Sequence, residues 1–338
     1  MSSATASALP LMALATGFWS FKTLAAAHEL DLFTRFTDGG CTAGELAAGL
    51  GIAERPAEML LTGCASLGLL ELHDGRYVNS PLAAEYLVRG RPYYFGGVVE
   101  MFDRRLYPAW GELTRAIRTN APTSWEPSRQ RHLFDGLDPL MLETFWAGMH
   151  SLSSVTARTL ADVLAADPPV RLLDVGGGSG AYAIELCRRF PELRATVYDL
   201  PEVCAIAAEN AAGIDRITTV PGDFLAPRPP LPGGHDTVLL SMILHDWDEP
   251  TCRRILRACH DALASGGRLL ICELLVDDDK TGPAPAALMS LNMLVETGGR
   301  NYTAAEYIAW LIATGFTGAH VVPLDAPGAN GVIVARKA

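Results

Sequence analysis

One histidine of the chain, His245, directly follows the apolar segment DTVLLSMIL and precedes Asp246. That segment predicts a buried strand, and ligands of open α/β sheets bind beyond the carboxyl ends of the strands. An imidazole titrates near neutral pH, so His245 could act at this edge as a general base. A buried, hydrogen-bonded structural histidine is the alternative interpretation of the same residue.

A glycine-rich turn follows another apolar segment, in VRLLDVGGGSGA at 170–181. The first half predicts a strand, the glycines predict a tight turn, and Ser179 is placed to cap a helix predicted over 182–190. Free N–H groups at a helix N-terminus suit a nucleotide-like ligand. Because Gly176 and Gly178 also fit G-x-G-x-x-A, a dinucleotide-binding turn and a turn without ligand both stay open.

Carboxylates stand at the ends of neighbouring predicted strands. Asp174 comes just before the glycines, and Asp199 closes the segment ATVYDL about twenty residues further on, where a carboxylate can bind ribose hydroxyls. Asp223 and Phe224 close the segment ITTVPGDF, and a carboxylate beside an aromatic ring can hold an adenine. These residues predict one nucleotide-binding edge of a sheet.

Read in order, the motifs are DVGGGSG, DLPEV, GDF, LLSMILHDWDE and GGRLLICE. Their order resembles that of the S-adenosylmethionine-dependent small-molecule O-methyltransferases of plants and bacteria, over nearly the whole chain. The resemblance implies S-adenosylmethionine as cofactor and a small-molecule acceptor of secondary metabolism, methylated on a phenolic hydroxyl. It places the cofactor against Asp174, Gly176, Gly178, Asp199, Leu200, Asp223, Phe224, Ser241 and Trp146, with Ser151 nearby. It places the acceptor against Phe145, Met149, Met242, Met293 and Arg129.

For the reaction, the resemblance implies that His245 removes the proton of the acceptor hydroxyl and that Glu273, at the end of RLLICE, orients it. Ser241 stands where many relatives carry a cofactor-contacting lysine. Relatives also carry an acid in a GG-[KR]-E-R-T segment, where this chain has Asn301. Because an amide cannot act as a carboxylate, the nearest acid is Glu296. A family member that has kept the fold but lost methyl transfer is therefore a further interpretation.

A second chemistry would use some of the same residues. His245, Asp246 and Glu296 could hold a divalent or ferric metal that chelates a 2-oxo acid and stabilises its enolate, so that carbon is methylated. Arg129 or Arg131, in the loop NAPTSWEPSRQRH, could bind the carboxylate of that acceptor. A few relatives methylate 2-oxo acids in this way. The sequence has no H-x-x-x-H or comparable spacing, so the first prediction includes no metal.

Composition limits the classes of partner. The chain has 338 residues, 49% of them hydrophobic, and a net charge of −11 without a cluster of basic residues, which argues against nucleic acid. Its seven scattered cysteines predict reduced thiols of a cytoplasmic protein. The N-terminus lacks the basic start of a signal peptide, and no apolar run is long enough to span a membrane.

The first part of the chain predicts a winged helix. Thr42 begins a capping box, a second helix is predicted over 55–66, and the turn at 73–75 predicts a hairpin. Such folds often bind DNA, so a DNA-binding regulator is an alternative. However, the second helix carries one arginine and one glutamate among mostly apolar residues, unlike a DNA-reading helix. We expect a dimerisation domain over 1–100, whose apolar helices at 11–36 pack against a second subunit in a homodimer.

The remainder predicts an α/β fold. Residues 101–164 predict a helical linker that contributes to the acceptor pocket. Over 165–338 strands and helices alternate, which predicts a parallel sheet with helices on both faces. The last two strands have no helix between them and predict an antiparallel hairpin at the sheet edge. This arrangement is typical of a Rossmann-like class I methyltransferase.

Overall fold

The computed structural model describes residues 7–37, 39–126, 139–227 and 229–338. The chain divides into two compact units, Met1–Arg104 and Arg105–Ala338. The seven-stranded sheet lies wholly in the second unit. The separate linker segment over 101–164 stays a prediction.

Short helices and one hairpin build the N-terminal unit. In chain order they are α1 (Leu9–Ala15), α2 (Gly17–Glu29), α3 (Leu32–Arg35), α4 (Ala43–Leu50), α5 (Glu54–Ser66), β1 (Leu70–His73), β2 (Arg76–Asn79), α6 (Pro81–Tyr86) and α7 (Gly96–Met101).

Local signals explain why these elements form. The hydroxyl of Thr42 accepts the N–H of Glu45 at 3.2 Å, and the Glu45 carboxylate accepts the N–H of Thr42 at 2.9 Å, so the predicted capping box is confirmed. In the predicted hairpin, Asp74 and Gly75 have φ values of 48° and 78°. Two positive φ values match the twist of a two-residue hairpin turn.

The apolar segment predicted over 11–36 is broken twice. The chain leaves the helix at Thr16, whose hydroxyl donates to the carbonyl of Met12, and again at Asp31, which has a φ of 55°. Leu32 and Phe33 then enter the core of this unit. Helix α1, by contrast, buries none of its residues. The exposed large apolar side chains of α1 and α2 are Leu9, Leu11, Met12, Leu14, Phe18 and Trp19.

The second unit alternates strands and helices, as predicted. Its helices are α8 (Tyr107–Trp110), α9 (Leu113–Thr119), α10 (Pro139–Val163), α11 (Ala181–Arg189), α12 (Pro201–Asn210), α13 (Glu249–Ala262), α14 (Ala284–Glu296) and α15 (Ala304–Thr314). Its strands are β3 (Arg171–Val175), β4 (Arg194–Asp199), β5 (Ile217–Pro221), β6 (His235–Ser241), β7 (Leu263–Glu273), β8 (Phe316–Ala326) and β9 (Ala329–Lys337). Three shorter turns are a π-helical turn (Phe102–Leu106) and two 3-10 turns (Leu164–Ala166 and Leu244–Asp246).

The sheet confirms the predicted fold class. Its strand order is β5-β4-β3-β6-β7-β9-β8; the first five strands pair in parallel, and β9 is antiparallel to both β7 and β8. The strand order reverses between β3 and β6, which is where open α/β sheets bind ligands. Successive strand residues enter opposite cores: Leu172 lies in one buried cluster and Leu173 in the other.

Two further sequence expectations concern cysteines and membranes. All seven cysteines are free, and six of them are buried. Among the described helices, none combines the length and the hydropathy needed to cross a bilayer.

Candidate active site

The glycine turn lies between β3 and α11, at the point where the strand order reverses. Gly176 and Gly178 have φ values of +69° and +56°, a backbone region that side chains rarely adopt. A Cβ at Gly176 would meet Ile243 at 2.5 Å, and a Cβ at Gly178 would meet the ring of Trp146 at 3.0 Å. The missing side chains therefore let the turn lie close against Ile243 and Trp146 in the wall of the site.

The predicted helix cap at Ser179 is wrong. Helix α11 begins after Gly180, which has a φ of 79° and takes the cap position without a side-chain bond. The left-handed Gly180 separates Ser179 from the first helical turn. The buried Ser179 hydroxyl instead lies 2.9 Å from Nδ1 of His150, so it joins the turn to helix α10.

Two carboxylates flank the turn. Asp199 accepts the N–H of Gly178 at 2.9 Å with one oxygen and the N–H of Leu200 at 2.7 Å with the other. Asp174 has a buried oxygen, Oδ2, without a hydrogen-bond partner among the described residues. Burial, and then the charge of Asp199, raise the pKa of Asp174 to about 7. A buried oxygen without a partner is uncommon, and this one can accept a hydrogen bond from a bound ligand.

A cavity of about 360 Å³ opens at the carboxyl ends of β3, β4 and β6. Its lining includes every residue that the sequence predicted for the cofactor, namely Asp174, Gly176, Gly178, Asp199, Leu200, Asp223, Phe224, Ser241 and Trp146. It also includes three residues predicted for the acceptor: Phe145, Met149 and Met242.

Other predicted contacts lie elsewhere. Met293 is buried on α14, outside the lining of this cavity. The hydroxyl of Ser151 donates to the carbonyl of Ala147 at 2.8 Å and so stays within helix α10. Arg129 and Arg131 fall outside the described residues, and their assignment to the acceptor stays a prediction.

The same cavity is lined by residues that the sequence analysis did not name. Trp247 stands edge-to-face with Phe224, with ring centres 6.4 Å apart, and Ile243 and Tyr182 also line the wall. Trp247 follows His245 by two positions in the motif LLSMILHDWDE, so the motif itself carried the signal. The two rings contact each other and form one apolar corner of the cavity wall.

A strained residue turns the chain towards the site. Strand β6 ends at Ser241, and the next residue, Met242, has a φ of 53°, which is uncommon for a long side chain. Such conformations persist where the surrounding structure fixes them, often at functional sites. The turn Leu244–Asp246 follows and brings His245 beside the end of β7.

His245 is held by Glu273. The histidine is 3% exposed, and its Nδ1 lies 2.8 Å from Oε2 of Glu273, which is fully buried. The other oxygen of Glu273 accepts the N–H groups of Ile243 and Leu244, each at 3.1 Å. One carboxylate therefore fixes both the backbone of the turn and the ring that the turn carries.

Charges around His245 favour its protonated form. Burial alone would lower its pKa, but the charge and hydrogen bond of Glu273 and the charges of Asp246 and Glu296 outweigh burial and raise the pKa of His245 to about 9. Asp246 lies 3.7 Å from Nε2 of the ring and lines the cavity. Burial is the main cause that raises the pKa of Asp246 to about 7. Asp246 therefore lies between Nε2 of the ring and the cavity that it lines.

Glu296 ends helix α14 in a buried ion pair. Its Oε1 lies 2.7 Å from Nη2 of Arg105, and its Oε2 accepts the side-chain amide of Asn292 at 3.0 Å. Burial raises the pKa of Glu296, while Arg105 and Asn292 act against the rise. Arg105 and Asn292 were not singled out by sequence.

The alternative metal site is not assembled. Over the described ranges, no group of three or more His, Cys, Asp and Glu side chains has an arrangement that could hold a metal ion. His245 turns Nδ1 to Glu273, and Glu296 turns to Arg105 and Asn292, so these side chains are committed to other partners. Asn301 donates its amide to the carbonyl of Leu274 at 2.7 Å and has a structural position.

Comparison with known proteins places this geometry in a family. Residues 110–317 match the model of the O-methyltransferase domain, and residues 12–89 match the model of the O-methyltransferase dimerisation domain. This chain belongs to the O-methyltransferase family. The enzyme is a methyltransferase that uses S-adenosylmethionine. The match over residues 12–89 identifies this unit as a dimerisation domain, and the family match supports the interpretation as an enzyme over the interpretation as a DNA-binding regulator.

Named relatives support the assignment. The chain is 54% identical over 329 residues, 96% of this chain and 94% of the relative, to 3-hydroxy-5-methyl-1-naphthoate 3-O-methyltransferase of Streptomyces sahachiroi. It is 34% identical over 323 residues, 94% of each chain, to the tetracenomycin polyketide synthesis 8-O-methyl transferase TcmO of Streptomyces glaucescens. The crystal structure of human N-acetylserotonin methyltransferase in complex with SAM covers 100% of this O-methyltransferase and 99% of that chain, with a TM-score of 0.85 and 29% identity.

Proposed function

We propose that this O-methyltransferase methylates an aromatic hydroxyl of a fused-ring acceptor, with His245 as the general base. The contact between Nδ1 of His245 and the buried Glu273 carries the proposal. In the unprotonated ring, which becomes the main form as the pH rises through the pKa of about 9, a carboxylate at Nδ1 keeps a hydrogen on that nitrogen and leaves Nε2 able to accept a proton. The hydroxynaphthoate in the name of one relative is an acceptor of this kind, and a second relative is named as an 8-O-methyl transferase of polyketide synthesis.

The cavity residues fit S-adenosylmethionine. Gly176 and Gly178 line the cavity without side chains, and the unpaired oxygen of Asp174 can accept a hydrogen bond from an ammonium group. Asp199 would hold the ribose hydroxyls, and Phe224 and Trp247 would provide the apolar wall against which the adenine packs. Bound there, the cofactor supplies a methyl group on a positively charged sulfur.

The chain contributes positioning and proton transfer. Phe145, Trp146 and Met149 of α10 line one side of the cavity and would help to position the acceptor. Nε2 of His245 would take the proton of the acceptor hydroxyl and leave the oxygen as the nucleophile for the methyl group that the bound cofactor supplies. The imidazolium that forms is stabilised by Glu273, which also fixes the orientation of the ring.

The acceptor test uses the purified enzyme with S-adenosylmethionine carrying a ¹³C methyl group. The acceptors are a hydroxynaphthoate, the naphthol without the carboxylate, and an aliphatic 2-oxo acid. We expect a labelled O–CH₃ group on the aromatic acceptors, identified by its carbon chemical shift. A label on carbon, or turnover of the 2-oxo acid alone, would contradict the proposal and favour enolate chemistry.

We further infer that the enzyme is a homodimer. The match to the dimerisation domain supports this, and so does helix α1, whose apolar side chains lie exposed. A second copy of the chain would cover them, because apolar faces of this kind mark protein interfaces. Sedimentation analysis should give twice the chain mass, and Leu14→Glu with Phe18→Glu should shift it towards a monomer. A monomeric parent enzyme would contradict the inference.

A further inference from the structure

Arg105 is a buried cation in the catalytic unit. Its side chain is 5% exposed, and the guanidinium carbon lies 5.2 Å from the centre of the Phe145 ring, on α10. Its only ion pair among the described residues is the 2.7 Å contact with Glu296. Removing two charges from water is costly even when they pair, so a buried ion pair adds little net stability to a fold. A contribution to stability alone therefore does not explain this pair.

Glu296, the ion-pair partner of Arg105, is also held by further hydrogen bonds. The amide of Asn292 donates to Glu296, and the oxygen of that amide accepts the indole N–H of Trp110 at 2.8 Å. The backbone carbonyl of Glu296 accepts the indole N–H of Trp125 at 2.7 Å. The last turn of α14 therefore holds its carboxylate in one orientation.

This fixed carboxylate lies close to the base. Helix α14 packs against the turn Leu244–Asp246. Gly299, just beyond the helix, lies so close to the backbone of His245 and Asp246 that a Cβ would overlap it. The charged groups that act on His245 are Glu273 from β7, Asp246 from its own turn and Glu296 from α14.

We propose that Arg105 is a positioning residue for methyl transfer, which holds Glu296 as a charged carboxylate beside His245. The proposal rests on the role of His245 as base. Asn301 carries no charge, and its amide donates to a backbone carbonyl. Glu296 is therefore the acid from this part of the chain whose charge acts on the ring of His245. Without Arg105, burial would protonate Glu296, and the imidazolium formed during proton transfer would lose a favourable neighbour.

The test compares Arg105→Met, Glu296→Gln and the double variant in the full-length enzyme. The pH titration of His245 is followed by the ¹⁵N chemical shifts of its ring, together with the pH dependence of kcat/KM. We expect each single variant to lower the His245 midpoint by about 1 pH unit, and the double variant to lower it no further. The acid limb of kcat/KM should move in the same direction, because the base must be unprotonated. If the positive charge of Arg105 acted directly on His245 and not through Glu296, its removal in Arg105→Met would favour the protonated ring and raise the midpoint, which would contradict the proposal.

The matched control is Arg253→Met. Arg253 forms a pair of the same kind and length with Glu249, at 2.7 Å, on the exposed face of α13. It should leave the midpoint unchanged. Arg105→Lys keeps the charge and should keep the midpoint near that of the parent, which preserves the test if Arg105→Met does not fold.

An unchanged midpoint in Glu296→Gln, or additive shifts in the double variant, would overturn the proposal. The ring titration needs no acceptor. If no aromatic hydroxyl is methylated by the parent enzyme, the proposed function fails while the link from Arg105 through Glu296 to His245 is still decided.

Discussion

His245→Ala is expected to lower kcat for methyl transfer by about 10²- to 10⁴-fold, the usual contribution of a positioned general base. The affinity for S-adenosylmethionine should stay within about threefold of the parent value, since His245 is not part of the lining of the cofactor cavity. Initial rates at saturating cofactor and acceptor, together with calorimetric titration of the cofactor, measure the two quantities.

Two variants make that result interpretable. His245→Gln keeps a polar side chain towards the buried Glu273, so it separates loss of the base from loss of folding. His320→Ala removes a histidine that is exposed on β8 and bonds only within its own hairpin, and it should leave kcat unchanged. If both His245 variants keep more than about a tenth of the parent rate, His245 is not the base.

Asp199→Ala should act on binding rather than on chemistry. The carboxylate bonds Gly178 and Leu200 and lines the cavity where the ribose is expected. One or two hydrogen bonds to a charged group, at about 1.5–3 kcal/mol each, correspond to a loss of cofactor affinity of about 10- to 100-fold or more. Calorimetric titration measures the dissociation constant, and kcat at saturating cofactor should fall only a few-fold.

Asp215→Ala is the control for this variant, because Asp215 is an exposed carboxylate between α12 and β5. The two variants are expected to change different quantities: His245→Ala lowers kcat, and Asp199→Ala lowers the affinity for the cofactor. A large fall in kcat with unchanged cofactor affinity in Asp199→Ala, or the reverse pattern in His245→Ala, would exchange the roles proposed for these residues.

The cofactor edge of the site was predictable because parallel strands make it. Asp174, Asp199 and Ser241 each stand at or near the end of an apolar segment, and the βα connections of the sheet bring such ends to one rim. Glycines and acids at strand ends therefore identify a cavity before any contact is known. The β8–β9 hairpin was predictable for a similar reason, since no helix separates the two strands.

The cluster around Glu296 was less predictable because its contacts join distant parts of the chain. Arg105 meets Glu296, and Trp110 meets Asn292 at a separation of 182 residues. Because the two residues of each pair are far apart in the sequence, no local motif predicts their contact. Ser179 shows a different limit: its position fits a helix cap, but the left-handed Gly180 decides where the helix starts, and that conformation depends on the whole turn.

Gly299 sets the clearance between helix α14 and the backbone that carries His245. A hydrogen atom is the largest substituent that this gap accepts. Helix α14 therefore cannot move closer to the turn that carries His245. A larger residue at 299 would displace this turn and move His245 away from Glu273. Phe145 and Met149 of α10 line the cavity itself, so a change in acceptor size would be accommodated by side chains there. A glycine thus limits where the base can stand, and other residues set the size of the cavity.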